Sequence, residues 1–197
     1  MPPELTYRLV LLAVLVAFVA HRGYYTRQFG RPDGDTLRAR EGSAVRVVAG
    51  VLSLLALLAS AIYIVSPRWL AWAVLPLPSW LRWGGLALVV IGFALLQWAH
   101  VALSRNWSDA PRLMEGQTLT TRGPYRWIRH PMYSAFLLIL SAPLLLSANW
   151  LVGLPWIAAT ALDIAGRIRF EEGVLADAFG AEFSDYTQTT GRLLPRF

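Results

Sequence analysis

The sequence predicts an all-α integral membrane bundle: five transmembrane helices and a C-terminal cytosolic helix, with the N-terminus outside and the C-terminus in the cytosol. Three observations lead there. Of 197 residues, 56% are hydrophobic and 15% charged, and the mean hydropathy is +0.46, well to the apolar side of an ordinary soluble domain. Several long runs lack a polar face, so lipid explains them better than a single core does. The arginines alternate between loops: five in residues 21–43, one in 66–80, five in 104–131, none in 147–149 and four from Arg167 onward. Basic residues concentrate in cytoplasmic loops, so the alternation implies five crossings.

The first span covers residues 5–20, interrupted only near its start by Thr6, Tyr7 and Arg8. A signal peptide would need a small residue three before a cut after Ala20, and Phe18 stands there. Residues 21–43 read as a polar loop broken by Pro32-Asp33-Gly34, and residues 44–65 as the second span, with Arg46 reaching toward headgroups. Residues 66–80 carry proline and tryptophan; Trp69, Trp72, Trp80 and Trp83 suit an interface belt. Residues 81–103 form the third span, with Gln97 and His100 in its last turns. The stretch 132–166 is too long for one span, and Ser147-Ala148-Asn149 offers a turn, so 132–146 and 150–166 read as a helical hairpin. Pro143 kinks the first arm. The second arm continues from Arg167 as an amphipathic segment that Gly180 ends. The chain reads as one membrane domain, with two N-terminal spans in residues 1–80 and the core in 81–197.

Composition excludes several functions. The net charge is +6 and all eighteen basic residues are arginine; they lie beside apolar spans, which points to membrane orientation and not to nucleic acid. With no cysteine, disulfides, thiolate zinc sites and cysteine nucleophiles are out, and three scattered histidines make no metal site.

Two polar clusters stand out. Residues 115–133, EGQTLTTRGPYRWIRHPMY, hold Arg122, Arg126, Arg129 and His130 between apolar spans, with Arg112 just upstream. Gly123-Pro124 and His130-Pro131 push the backbone out of a regular helix, so the island reads as a shaped loop that faces water or a ligand. The second cluster is Arg167-Ile168-Arg169-Phe170-Glu171-Glu172, where Arg167 and Glu171 share a helix face. As an exposed ion pair these two would contribute roughly 0.3–0.5 kcal/mol. The hairpin would bring them beside His130-Pro131-Met132-Tyr133, where arginine can hold an anion and glutamate a cationic or amino group. The two clusters are expected to form one site.

GPYRWIRHPMY, followed by the Arg169-Phe170-Glu171-Glu172 run and by FGAEFSDYTQTTGRLLP, resembles the isoprenylcysteine carboxyl methyltransferase family and its phospholipid methyltransferase relatives, over about residues 81–195. The resemblance implies an integral membrane enzyme that uses S-adenosylmethionine; the arginine alternation puts both clusters on the cytosolic side, and a bacterial cytoplasmic membrane is the expected location. Carried over by motif, Gln117, Thr118, Leu119, Thr120 and Tyr125 line one side of the cofactor. His130, Pro131, Met132 and Tyr133 form its central wall, Glu171 binds it, and Arg167 orients the acceptor. The sequence departs from the family pattern at Gln117, where histidine is common, at Ala135, where glycine often follows, and at Phe183, where tyrosine is usual.

Methyl transfer from a sulfonium needs alignment and desolvation more than a strong acid, and a lipophilic acceptor can arrive laterally between helices while the cofactor comes from water. The acceptor is a lipophilic carboxylate, thiol or amine, and membrane lipids are the remaining partners. Trp98, Trp107 and Trp127 read as packing and interface residues ahead of an acceptor route. Two rival readings exist: a nicotinamide-dependent reductase of the sterol type, with a similar arginine-histidine-proline loop, and a non-catalytic lipid-binding protein whose arginines meet anionic headgroups.

Overall fold

The computed structural model describes residues 3–29, 43–103 and 118–196. The secondary structure of the described residues is almost entirely helical: α1 (Pro3–Phe29), α2 (Ser43–Val65), α3 (Ser79–Leu103), α4 (Pro131–Ser147), α5 (Trp150–Phe179) and α6 (Ala181–Thr189), with short 3-10 segments at Pro67–Ala73 and Gly123–Arg126. Four of these helices, α1, α2, α3 and α5, are long and apolar enough to cross a membrane. At 17 residues, α4 is a shorter apolar helix of about 26 Å at 1.5 Å per residue.

Leu12, Val16 and Val19 on α1, Val47, Val51, Leu54 and Leu58 on α2, and Val90, Ile91 and Val101 on α3 are exposed. Apolar surface on this scale needs an apolar medium around it. Inside, α3 packs along α4. A Cβ at Gly92 would lie 2.6 Å from Ile139 Cγ1, and one at Gly85 3.0 Å from Leu146 Cγ, so small residues on α3 set this approach. Leu96, Ile139 and Leu146 fill the seam, with Tyr7 and Val14 of α1 against them.

The hairpin turns where the sequence places it. Ala148 adopts the left-handed conformation (φ 48°, ψ 41°), and Asn149 caps α5, its Oδ1 accepting from the backbone N–H groups of Leu151 at 3.1 Å and Val152 at 3.3 Å. Its Nδ2 donates to Leu70 O at 2.8 Å, tying the turn to the 3-10 segment. At this end of the bundle Arg82 donates to Leu146 O at 2.7 Å and to Glu4 Oε2 at 2.9 Å, beside a cavity of about 260 Å³.

Helix α1 differs from expectation: it does not stop at Ala20 but runs on through the start of the expected loop to Phe29. Polar residues alone do not end a helix, and the first proline after Pro3 is Pro32. The 30 residues of α5 span about 45 Å against a hydrocarbon layer of about 30 Å, so the helix outruns the bilayer as the sequence suggests. Gly180 then turns the chain at φ 49°, and α6, which periodicity did not reveal, follows.

Candidate active site

The His130-Pro131 step builds one wall of the site. Proline at the first position of α4 needs no backbone donor there, and His130 precedes it at φ −123°, ψ 61°. From this start Tyr133 points across to α5, where its hydroxyl donates to Glu171 Oε1. The rings of His130 and Tyr133 stack with centroids 5.5 Å apart. His130 is buried; its Nδ1 lies 3.4 Å from Glu171 Oε2 and its Nε2 3.4 Å from Glu172 Oε1. The second approach is close without being an aligned hydrogen bond, since Nε2 has no hydrogen-bond partner among the described residues. Burial acts to lower the imidazole pKa, but the close, negatively charged carboxylates of Glu171 and Glu172 outweigh it and raise the value above 6.5.

Glu172 is gripped from the other side by two arginines. Arg129 Nε donates to its Oε1 at 3.0 Å, and Arg192 Nη2 lies 2.7 Å from its Oε2. Arg129 also donates to the carbonyls of Thr187 at 3.3 Å and of Thr190. The C-terminal tail runs against the loop like a short parallel strand. Arg129 N donates to Gly191 O at 2.8 Å, His130 N to Arg192 O at 3.0 Å and Gly191 N to Trp127 O at 3.0 Å, and Ser134 Oγ donates to Leu193 O at 2.6 Å. Tyr186 of α6 adds a bond to Tyr125 O at 2.6 Å.

Of the residues singled out in the sequence, the structure brings His130, Tyr133 and Glu171 into contact. Pro131 is buried behind them, and Met132 packs against Tyr125, Ala99 and Ala102. Thr118, Leu119 and Thr120 lie in the non-helical run before the 3-10 turn, and Gln117 lies outside the described residues. Trp98 and Trp127 meet edge to face at 5.9 Å; Trp107 and Arg112 also fall outside the described residues. Two expectations change. The island, expected to face water or a ligand, also packs against the protein: Arg129 and His130 turn inward, because buried cations and imidazoles are stable only against partners, and Glu171 and Glu172 supply them. Arg167 pairs with Asp163, Nε to Oδ2 at 3.1 Å, one turn before it on the same face, which leaves the Glu171 carboxylate to Tyr133 and His130.

Sequence reading placed Arg129 and Glu172 in the two clusters without giving either a partner, and missed Arg192 and the tail as parts of this assembly. The adjacent carboxylates Glu171-Glu172 were the available signal, since two neighbouring acids next to an apolar span need two sets of partners.

The comparisons with known proteins point one way. The family model described as "Isoprenylcysteine carboxyl methyltransferase (ICMT) family" matches residues 85–177. A rice protein (Oryza sativa subsp. indica) named "Probable protein-S-isoprenylcysteine O-methyltransferase" is 31% identical over 113 residues, which cover 56% of this chain and 59% of that protein. A Bradyrhizobium diazoefficiens protein named "Methanethiol S-methyltransferase 2" is 29% identical over 139 residues, or 64% of this chain and 52% of its own length. The match thus spans little more than half of either relative. The solved structure of a eukaryotic intramembrane Ras methyltransferase, ICMT, superposes with a TM-score of 0.69 over 99% of this chain and 68% of that one, at 19% identity, which shows a shared membrane fold.

Proposed function

We propose that the chain, whose residues 85–177 match the isoprenylcysteine carboxyl methyltransferase family model, is an integral membrane methyltransferase that uses S-adenosylmethionine to methylate a lipophilic acceptor at the membrane interface. The observation that carries the reading is the convergence of His130 and Tyr133, at the start of α4, with Glu171 of α5, at the end of the bundle opposite the hairpin turn. The fold proposed around it has five spans, α4 being the fifth, in one membrane domain: two N-terminal spans in residues 1–80 and the methyltransferase core in 81–197. The N-terminus lies outside, and the site faces the cytosol of a bacterial cell.

The residues fit the cofactor's chemistry. The Glu171 side chain is 21% exposed and offers an anion to an ammonium group or to ribose hydroxyls. Tyr133 holds that carboxylate in place, and the buried His130 Nε2 has capacity for one more hydrogen bond. Thr118, Leu119, Thr120 and Tyr125 would line the remaining side with Gln117, while Pro131 and Met132 shape the wall. When bound, the sulfonium supplies an already activated methyl group. The protein's part is to align the acceptor and exclude water. Arg167, 34% exposed and anchored to Asp163, would orient a carboxylate, thiol or amine arriving from the bilayer.

Glu171→Ala and Arg167→Ala separate these roles. Hydrogen bonds to charged groups contribute about 1.5–3 kcal/mol, or roughly ten- to a hundredfold in affinity. Glu171→Ala is expected to weaken binding of S-adenosylhomocysteine by that range. Arg167→Ala is expected to leave that affinity within about twofold and to lower turnover. Unchanged turnover and affinity in both variants removes the assigned roles.

A further inference from the structure

The 3-10 turn at Gly123–Arg126 lies against the last turns of α3 and makes a surface that methyl transfer leaves without a role. Tyr125 packs inward on Ala99 and Ala102, while Arg122 and Arg126 stay exposed. Arg122 Nε donates to Ala102 O at 3.0 Å, which holds this guanidinium at the end of α3. The Arg126 guanidinium lies over the Trp127 ring, 4.4 Å from its centroid. Trp127 meets Trp98 of α3 edge to face at 5.9 Å, and a Cβ at Gly123 would stand 3.2 Å from Trp98 Nε1. Two arginines and two indoles thus form one continuous patch.

Its charge and its apolar flank both suit a lipid. Neither arginine has a carboxylate partner among the described residues, and Arg126 makes no hydrogen bond there. A guanidinium laid on an indole keeps its N–H fork available, and that fork matches two oxygens of a phosphate. On α3, Ile91, Trp98 and Val101 are 56%, 46% and 64% exposed, and their spacing puts them on one face of the helix. Trp98 stands close to Leu103, where α3 ends, near the depth at which tryptophan gathers in a bilayer. The exposed face runs from there toward the middle of the hydrocarbon layer.

We propose that this patch is a binding site for an anionic phospholipid. The phosphodiester sits on Arg126, Arg122 adds to the positive field, and an acyl chain lies along Ile91, Trp98 and Val101. A zwitterionic headgroup fits less well, because its own cation is repelled by the two arginines. The site does not depend on the methyl-transfer reading: a chain of any activity, or none, would hold the lipid there.

The test titrates the full chain in detergent with dioleoylphosphatidylglycerol, dioleoylphosphatidylcholine and inorganic phosphate, reading each affinity from ligand-dependent thermal shifts. The wild type is expected to bind phosphatidylglycerol more tightly than phosphatidylcholine, and less tightly as salt rises. Arg126→Gln is expected to weaken phosphatidylglycerol binding about fivefold, the order of one basic residue at an anionic surface. Arg126→Lys is expected to recover part of the loss, restoring the charge without the fork. Arg169 of α5 is also exposed, and Arg169→Gln, the control for charge alone, is expected to leave binding within about twofold. Equal binding of the two lipids, unchanged phosphatidylglycerol binding in Arg126→Gln, or an equal loss in Arg169→Gln overturns the proposal. So does inorganic phosphate that binds as tightly as the lipid, which would make the patch a site for a soluble anion.

Discussion

His130 is held between the carboxylates of Glu171 and Glu172, and its raised pKa makes it a source of pH-dependent stability. The folded chain keeps the proton more tightly than the unfolded chain, so the stabilisation is complete below 6.5, the ordinary value, and is lost as pH rises through the raised one. The thermal midpoint is therefore expected to fall as pH rises above 6.5, and His130→Gln to flatten that fall; equal slopes in the two proteins contradict the assignment. His130, Tyr133 and Glu171 were legible in the sequence because proline and charge mark them in an apolar chain. The partner of Arg167 was not, since Asp163 and Glu171 stand one turn to either side of it and sequence spacing cannot choose between them.

At the scale of elements, the α4–α5 hairpin sets the distance between the two walls of the site. A Cβ at Gly153 would fall 2.3 Å from Leu144 Cα, so the arms meet backbone to backbone there. Gly153→Ala is expected to destabilise the protein by about 1–3 kcal/mol, in the range of overpacking, while Gly84→Ala, with nothing within 4 Å, stabilises by about 0.5–1 kcal/mol; thermal unfolding that ranks them otherwise contradicts this packing. The tail gives a second prediction. Ending the chain after Thr190 removes the backbone pairing of Gly191 and Arg192 with residues 127–130 and the Arg192–Glu172 ion pair, and is expected to weaken S-adenosylhomocysteine binding at least tenfold, roughly the loss of one charge-assisted contact. An unchanged affinity would make the tail dispensable to the site. The boundaries of α2, α3, α4 and α5 follow from apolar length, proline and the Ser147-Ala148-Asn149 turn, and so were readable in advance. The tail pairing was not, because it joins residues about sixty positions apart through backbone groups that every sequence shares.

For the whole molecule, orientation is the open geometric claim, and the chain's lack of cysteine makes it directly measurable. Leu194, 77% exposed, and Trp80, 74% exposed, lie at the site end and the hairpin-turn end of the bundle. A membrane-impermeant maleimide added to intact cells is expected to label Trp80→Cys and spare Leu194→Cys; the reverse pattern would place the site outside the cell. The central claim is met most directly by incubating the purified protein with methyl-labelled S-adenosylmethionine and a membrane lipid extract, then following the label. The account predicts label in an extractable lipophilic product with the wild type and its loss in Glu171→Ala. A wild type that transfers no label, or a Glu171→Ala protein that transfers as much, contradicts it.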